Sequence, residues 1–172
     1  MGTSAEADFL GWVTTSRDGL RKTAYLLCGD WFLADDLVQD ALTRMYAVWG
    51  RVSASGEPGP YARKVLVNLY LDHRRRPSRR EVPLAALPDR VGVEPANAVD
   101  GDRDRLMTAL RQVPSGQRAV LVLRYWEDLS IEQTAQLLGT SASNVRSQSS
   151  RGLDALRSAL EPDPVTAPEE AL

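Results

Sequence analysis

The sequence predicts an all-α protein of two small helical domains, an N-terminal helical bundle and a C-terminal helix-turn-helix domain, joined by a flexible linker. Three observations carry this. Apolar residues recur at helical spacing through most of the chain. Residues 77–101 break that pattern with Pro77, Pro83, Pro88 and Pro95. Beyond the break, a short helix, a glycine and a second helix with a polar start follow one another in the order of a helix-turn-helix.

Residues 1–7 are small and polar and read as a loose end. From Asp8 the pattern turns helical, with Phe9, Trp12, Val13, Leu20, Ala24, Tyr25 and Leu27 on the apolar side. Gly29 closes this helix, and Asp30 can cap the next. The second helix is expected over about Leu33–Trp49, with Leu37, Val38, Ala41, Leu42, Met45, Tyr46 and Trp49 as a broad apolar stripe. Asp35 lies in its first turn, where a negative charge suits the helix dipole. Asp36, Gln39 and Asp40 lie largely off the stripe as one polar patch, which suits a partner with a basic groove.

Residues 50–60, GRVSASGEPGP, read as a loop because they hold three glycines and two prolines. A third helix is expected from about Tyr61 to His73, opened by Pro60. Tyr61, Val65, Leu66 and Leu69 face inward; Lys64, Asn68 and Asp72 share one face, followed by Arg74, Arg75 and Arg76. Such a run at a helix end can be a solvated terminus that complements the dipole, or it can contact phosphate.

The second domain begins near Asp102. Leu106, Leu110 and Val113 form a stripe that Pro114 stops, and a further helix covers about Ser115–Trp126. In LSIEQTAQLLGTSASNVRSQSSRGLDALRSAL, Ser130 and Gln133 have capping-box spacing. Ile131, Ala135 and Leu138 share a face, Gly139 ends the helix and Ser141 can cap the next one. The start of that next helix offers Ser143, Asn144, Arg146, Ser147, Gln148 and Arg151. All are hydrogen-bonding, and Asn, Gln and Arg are types that pair two-pronged with base edges. The competing reading is a helical hairpin with a solvated polar face. The tail, residues 161–172, has three prolines and four acids and reads as disordered.

Formal charge is −2, so the chain is not a globally basic coat for nucleic acid. The charge is segmented instead: seven Lys/Arg against one Asp over Tyr61–Arg80, and four Asp with no cation over Asp30–Asp40. One cysteine, Cys28, excludes an internal disulfide, and one histidine with one cysteine cannot build an ordinary zinc site. No catalytic set, phosphate-binding glycine loop or metal cluster stands out, so neither an enzyme nor a cofactor is expected. No apolar run reaches membrane-spanning length, and the start lacks a signal-peptide pattern. These features describe a soluble cytoplasmic protein with no membrane insertion.

Two blocks carry a family resemblance. One is AYLLCGDWFLADDLVQDALTRMYAVW followed by YARKVLVNLYLDHRRR; the other is VPSGQRAVLVLRYWEDLSIEQTAQLLGTSASNVRSQSSRGLDALR. In this order, across a linker, the chain resembles the extracytoplasmic-function (ECF) sigma factors of bacterial RNA polymerase, in the sigma-70 family. The resemblance implies no catalysis, and promoter-specific initiation with core RNA polymerase and promoter DNA as partners. An anti-sigma factor is the usual further partner in the family.

The resemblance also implies a division of labour. Residues 8–76 would bind the polymerase core through Asp36, Leu37, Val38, Gln39 and Asp40. The same domain would meet the −10 element through Lys64, Asn68, Asp72 and Arg74–Arg76, with Asn68 lining a pocket for a flipped base and residues 52–60 clasping it. Residues 102–160 would read the −35 element through the start of the last helix. Gln148 stands where many members carry Arg, and Ser149 where many carry an apolar residue. The alternative is a polymerase-independent helix-turn-helix repressor or activator, which would bind its own operator.

Overall fold

The computed structural model describes residues 3–76 and 101–161, and these are almost wholly helical. The expected linker, apart from Gly101, and the tail beyond Glu161 lie outside the described residues. Eight α-helices are described: α1 (Thr3–Cys28), α2 (Trp31–Ala47), α3 (Trp49–Ala54), α4 (Pro58–Arg75), α5 (Gly101–Gln112), α6 (Ser115–Leu121), α7 (Ile131–Leu138) and α8 (Ala142–Leu160).

In the first half α1, α2 and α4 pack on one another and α3 closes one end. Gly29 takes φ +72°, and its N–H reaches the Tyr25 carbonyl at 2.7 Å, so α1 ends where glycine can turn left-handed. Asp30 then caps α2 by accepting from the N–H groups of Phe32 and Leu33. The helix α1 begins five residues before the expected Asp8. Ala5 packs on the core and Glu6 sits in the first turn, where its charge suits the dipole.

The expected loop at residues 50–60 is partly helix. Trp49 and Val52, three residues apart, both bury, so α3 has an apolar face to anchor it. The Trp49 ring meets Phe9 edge-on at 5.1 Å and Trp12 at 5.5 Å. The next helix opens at Pro58 rather than Tyr61, since proline's fixed φ suits a first turn. On α4 the core side includes Ala62, Val67 and Tyr70 beside the expected Leu66 and Leu69, while Tyr61 and Val65 are half-buried.

In the second half Leu106 stays exposed, and Met107 takes the core place beside Leu110 and Val113. The expected helix to Trp126 changes character midway. Residues Val122–Trp126 form a π-helical turn, which turns Tyr125 and Trp126 outward (59% and 53% exposed) and leaves Val122 and Leu123 inside. Asp128 follows with φ +51°.

The two halves share a core. Ala119, Val122 and Leu123 belong to the same buried cluster as Leu27 of α1, Leu37 and Met45 of α2, and Leu66 and Tyr70 of α4. A fully buried Leu or Val in such a cluster contributes roughly 1.5–3 kcal/mol. Val120, Ala135 and Val145 form a smaller cluster that seats α7 and α8.

Tyr70 is fully buried, and its hydroxyl meets no partner among the described residues. Burial pushes its ionisation up, so it remains a neutral phenol. Tyr70→Phe is therefore expected to leave stability unchanged or raise it by up to about 1 kcal/mol, read as the urea midpoint. A clear loss would mean that the hydroxyl is bonded.

Candidate nucleic-acid and partner interfaces

The helix-turn-helix is held by local hydrogen bonds. The Ser130 Oγ accepts from the Gln133 N–H at 3.0 Å, and the Gln133 Oε1 accepts from the Ser130 N–H at 2.8 Å. At the turn Gly139 takes φ +63°. The Thr140 N–H bonds the Ala135 carbonyl at 2.9 Å and the Gly139 N–H bonds that of Gln136, a Schellman closure. Ser141 caps α8 by accepting from the Asn144 N–H at 3.1 Å. Gly152 lets α8 approach α6 closely: a Cβ there would lie 3.1 Å from the Leu121 Cγ.

This frame points Val145 inward and leaves Ser143, Asn144, Arg146, Ser147 and Arg151 exposed, with Gln148 half-buried. The Asn144 amide donates to the Thr140 hydroxyl at 2.8 Å. Arg146 lies 3.8 Å from Glu132, but both are well exposed, so the pair holds it only weakly. Arg124 and Arg157 join Arg146 around an open cleft of about 330 Å3 beside α8. Neither was singled out in the sequence, because three arginines separated by 33 residues share no local period. The arrangement exposes hydrogen-bonding side chains flanked by arginines, of which Arg157 pairs with Asp154 at 3.2 Å.

On α4, Lys64, Asn68 and Asp72 are exposed along one face, and Arg74–Arg76 are exposed at its end. Asp72 and Arg75 stand 4.0 Å apart in solvent, too open to neutralise the arginine run.

On α2, Asp36, Gln39 and Asp40 are exposed, and neither carboxylate pairs with a cation among the described residues. Leu37 and Val38 are corrected from contact residues to core residues: at 4% and 2% exposure they fix the helix and cannot present a surface. Asp35 does more than complement the dipole. It accepts from the Arg21 Nε at 2.6 Å, and that guanidinium lies 4.3 Å over the Trp31 ring, which stacks on Tyr25.

A polar joint between the halves was not visible in the sequence. Arg118 is 5% exposed and donates to the carbonyls of Leu27 (2.8 Å), Arg111 (2.6 Å) and Val113 (2.9 Å). Desolvation lowers its proton affinity; Tyr70 and Cys28 act against this, while Arg74 and Arg111 add to it. Arg111 covers Gly29 and donates to its carbonyl. Glu127 accepts from the Thr23 hydroxyl and lies 3.3 Å from Arg63. Desolvation pushes the Cys28 thiol up to about 12, so it is a neutral thiol donating to the Asp30 carbonyl and not a nucleophile. Among the described residues there is no cluster fit to hold a metal, and no helix is long and apolar enough to cross a membrane.

Fold and surfaces together describe an all-helical protein that carries a helix-turn-helix and, apart from it, an exposed acidic face on α2. Comparison with known proteins narrows the class. Residues 12–80 match the family described as sigma-70 region 2, and residues 103–156 match sigma-70, region 4. The chain is 38% identical over 154 residues to the RNA polymerase sigma-E factor of Streptomyces avermitilis, covering 90% of this chain and 86% of that one. It is 39% identical over 149 residues to the RNA polymerase sigma-E factor of Streptomyces antibioticus, covering 87% and 82%. Its fold resembles that of the sigma factor RpoE of Bartonella quintana, solved with the anti-sigma factor NepR. That likeness has a TM-score of 0.72 at 24% identity and covers 91% of this chain and 98% of that one. The chain belongs to the sigma-70 family of RNA polymerase sigma factors, in its ECF group. That membership favours a polymerase-dependent role over the free-standing repressor or activator.

Gly139→Ala is expected to lower stability by about 1–2 kcal/mol, since only the glycine meets the left-handed turn without steric cost. Chemical denaturation checks this, and an unchanged midpoint would mean that the turn has relaxed.

Proposed function

We propose that this sigma factor docks on core RNA polymerase through the exposed acidic face of α2 and carries two separate promoter-reading surfaces. Asp36, Gln39 and Asp40 meet a basic helical surface of the polymerase. Lys64, Asn68, Asp72 and Arg74–Arg76 engage the −10 element, with Asn68 taking up an extruded base. Ser143, Asn144, Arg146, Ser147, Gln148 and Arg151 meet the −35 element. The observation that carries this reading is the separation of an unpaired acidic face from two cationic, hydrogen-bonding faces on rigid helices. Residues 8–76 and 102–160 are the working units, and residues 77–101 connect them.

The protein does no covalent chemistry and acts as a regulatory subunit in the cytoplasm, where the polymerase works. Extruding a base costs a few kcal/mol, and capture near Asn68 offsets part of that. A near-neutral chain binds free DNA weakly, since electrostatic affinity follows the number of phosphates neutralised. Joining two weak contacts on one polymerase raises their effective concentration. By analogy with the Bartonella complex, an anti-sigma factor is proposed as the restraining partner.

Transcription from a cognate promoter by purified protein with core polymerase tests the whole reading. Failure to associate with core enzyme, with any regulator removed, overturns it. Asp36→Ala with Asp40→Ala is expected to weaken polymerase binding roughly tenfold, about 1.4 kcal/mol, with an unchanged melting temperature. Arg146→Ala is expected to cost about 1–3 kcal/mol in binding a −35 site by the assembled holoenzyme. Equal affinity for matched and mutated −35 sites in the wild type would remove α8 from that role.

A further inference from the structure

We propose that Phe32 is the apolar anchor of the α2 docking face, seated in an apolar pocket that core RNA polymerase presents beside its cations. The inference rests on the polymerase-binding reading above and adds a contact that charge does not supply. Phe32 is 55% exposed in the first turn of α2. Its neighbours turn inward: Trp31 stacks on Tyr25, and Leu33 packs on the core. Phe32 precedes Asp36 by four residues, Gln39 by seven and Asp40 by eight, and all four are exposed. That spacing sets them on one ridge of the helix, about 12 Å long at 1.5 Å per residue. Phe32 is the one apolar side chain among them. The other exposed aromatic of α2, Tyr46, is held edge-on by Phe9 at 5.2 Å. The Phe32 ring has no such partner among the described residues and is not packed on the core.

Solvated carboxylates steer and orient an encounter more than they hold it. Holding needs a side chain that is desolvated on docking, and aromatic residues are enriched at the buried centre of interfaces. The backbone beneath Phe32 is fixed before any partner arrives. The Asp30 carboxylate accepts from the Phe32 N–H at 2.8 Å and from the Leu33 N–H at 3.2 Å. The ring is therefore carried on a rigid turn and loses little freedom on docking. The complementary surface is an apolar pocket with cations about one and two helical turns away. Duplex DNA does not offer it, because its phosphates repel Asp36 and Asp40. A second copy of the chain does not offer it either, because a two-fold contact through this ridge sets carboxylates against carboxylates. A basic helical surface of the polymerase fits both requirements.

The test is the affinity of the full chain for purified core polymerase over a range of salt. Phe32→Ala is expected to weaken binding about tenfold at every salt concentration, leaving the slope of log K against log salt at its wild-type value. Phe32→Leu is expected to stay within about threefold of the wild type, since an apolar side chain of similar size still fills the pocket. Asp36→Ala with Asp40→Ala is expected instead to flatten the slope. Phe32 is exposed, so neither substitution there is expected to move the melting temperature. Wild-type affinity in Phe32→Ala, a flattened slope in Phe32→Ala, or equal losses in Phe32→Ala and Phe32→Leu would each overturn the proposal. If Phe32→Ala binds normally while the double aspartate variant is weakened, the anchor falls and the acidic docking face stands. If the double variant also binds normally, the docking face falls with it.

Discussion

A buried guanidinium has to find acceptors, and Arg118 finds three of them at helix ends. The last carbonyls of a helix have no partner within it and carry the negative end of the dipole. Arg118 answers the Leu27 carbonyl near the end of α1 and those of Arg111 and Val113 at the end of α5. Burying a charge alone would be costly, so it is held only because these helix ends converge on it. The consequence is positional. With Arg118 seated, Ala119, Val122 and Leu123 fall into the first half's core and Glu127 reaches Thr23 and Arg63. The joint follows from one cation and the carbonyls around it.

That joint leaves the remaining helix faces in solvent. The faces of α1 and α4 toward the second half are occupied, so the acidic ridge of α2 and the Lys64–Asn68–Asp72 face of α4 remain in solvent. Asp35 is drawn inward by Arg21, which separates this structural carboxylate from the two that stay in solvent. Charge segmentation along the chain thus becomes segregation in space, an exposed acidic face apart from exposed cationic ones.

Much of this was legible in the sequence, and the reasons are local. The capping box at Ser130 and Gln133, the left-handed Gly139 and the Ser141 cap depend on residues within one turn of each other, so spacing alone reveals them. The α2 stripe was legible for the same reason. What stayed hidden depends on distant partners. The segment holding α3 looks like a loop until Trp49 has Phe9 and Trp12 to pack against. The π-helical turn leaves no trace in periodicity. Arg118 lies within one residue of an apolar run and reads as a surface cation until the carbonyl of Leu27, 91 positions away, is placed beside it. Leu37 and Val38 show the opposite error, where a resemblance marks a whole segment and only the exposed residues of it can make contact.

The strength of the joint then sets what the partner must supply. Val122 and Leu123, if wholly uncovered on opening, would lose at most roughly 3–6 kcal/mol of apolar burial. Moving a closed protein from about 1% to about 99% open takes roughly 5.5 kcal/mol of differential binding. Ala119, the three hydrogen bonds of Arg118, the Arg111–Gly29 contact and Glu127 add to the first figure, so a partner that opens the joint has to supply a difference in binding at least as large as the second. A single promoter element binds one half and gains nothing from separation, so DNA alone offers little bias. On the proposed function, a polymerase that holds the two halves apart supplies that bias, because both elements are then met at once and the effective concentration of the second contact rises. On the proposed function, weak affinity for free DNA and strong affinity within the holoenzyme would be two results of one constraint, a shared core that has to part before both surfaces reach a promoter.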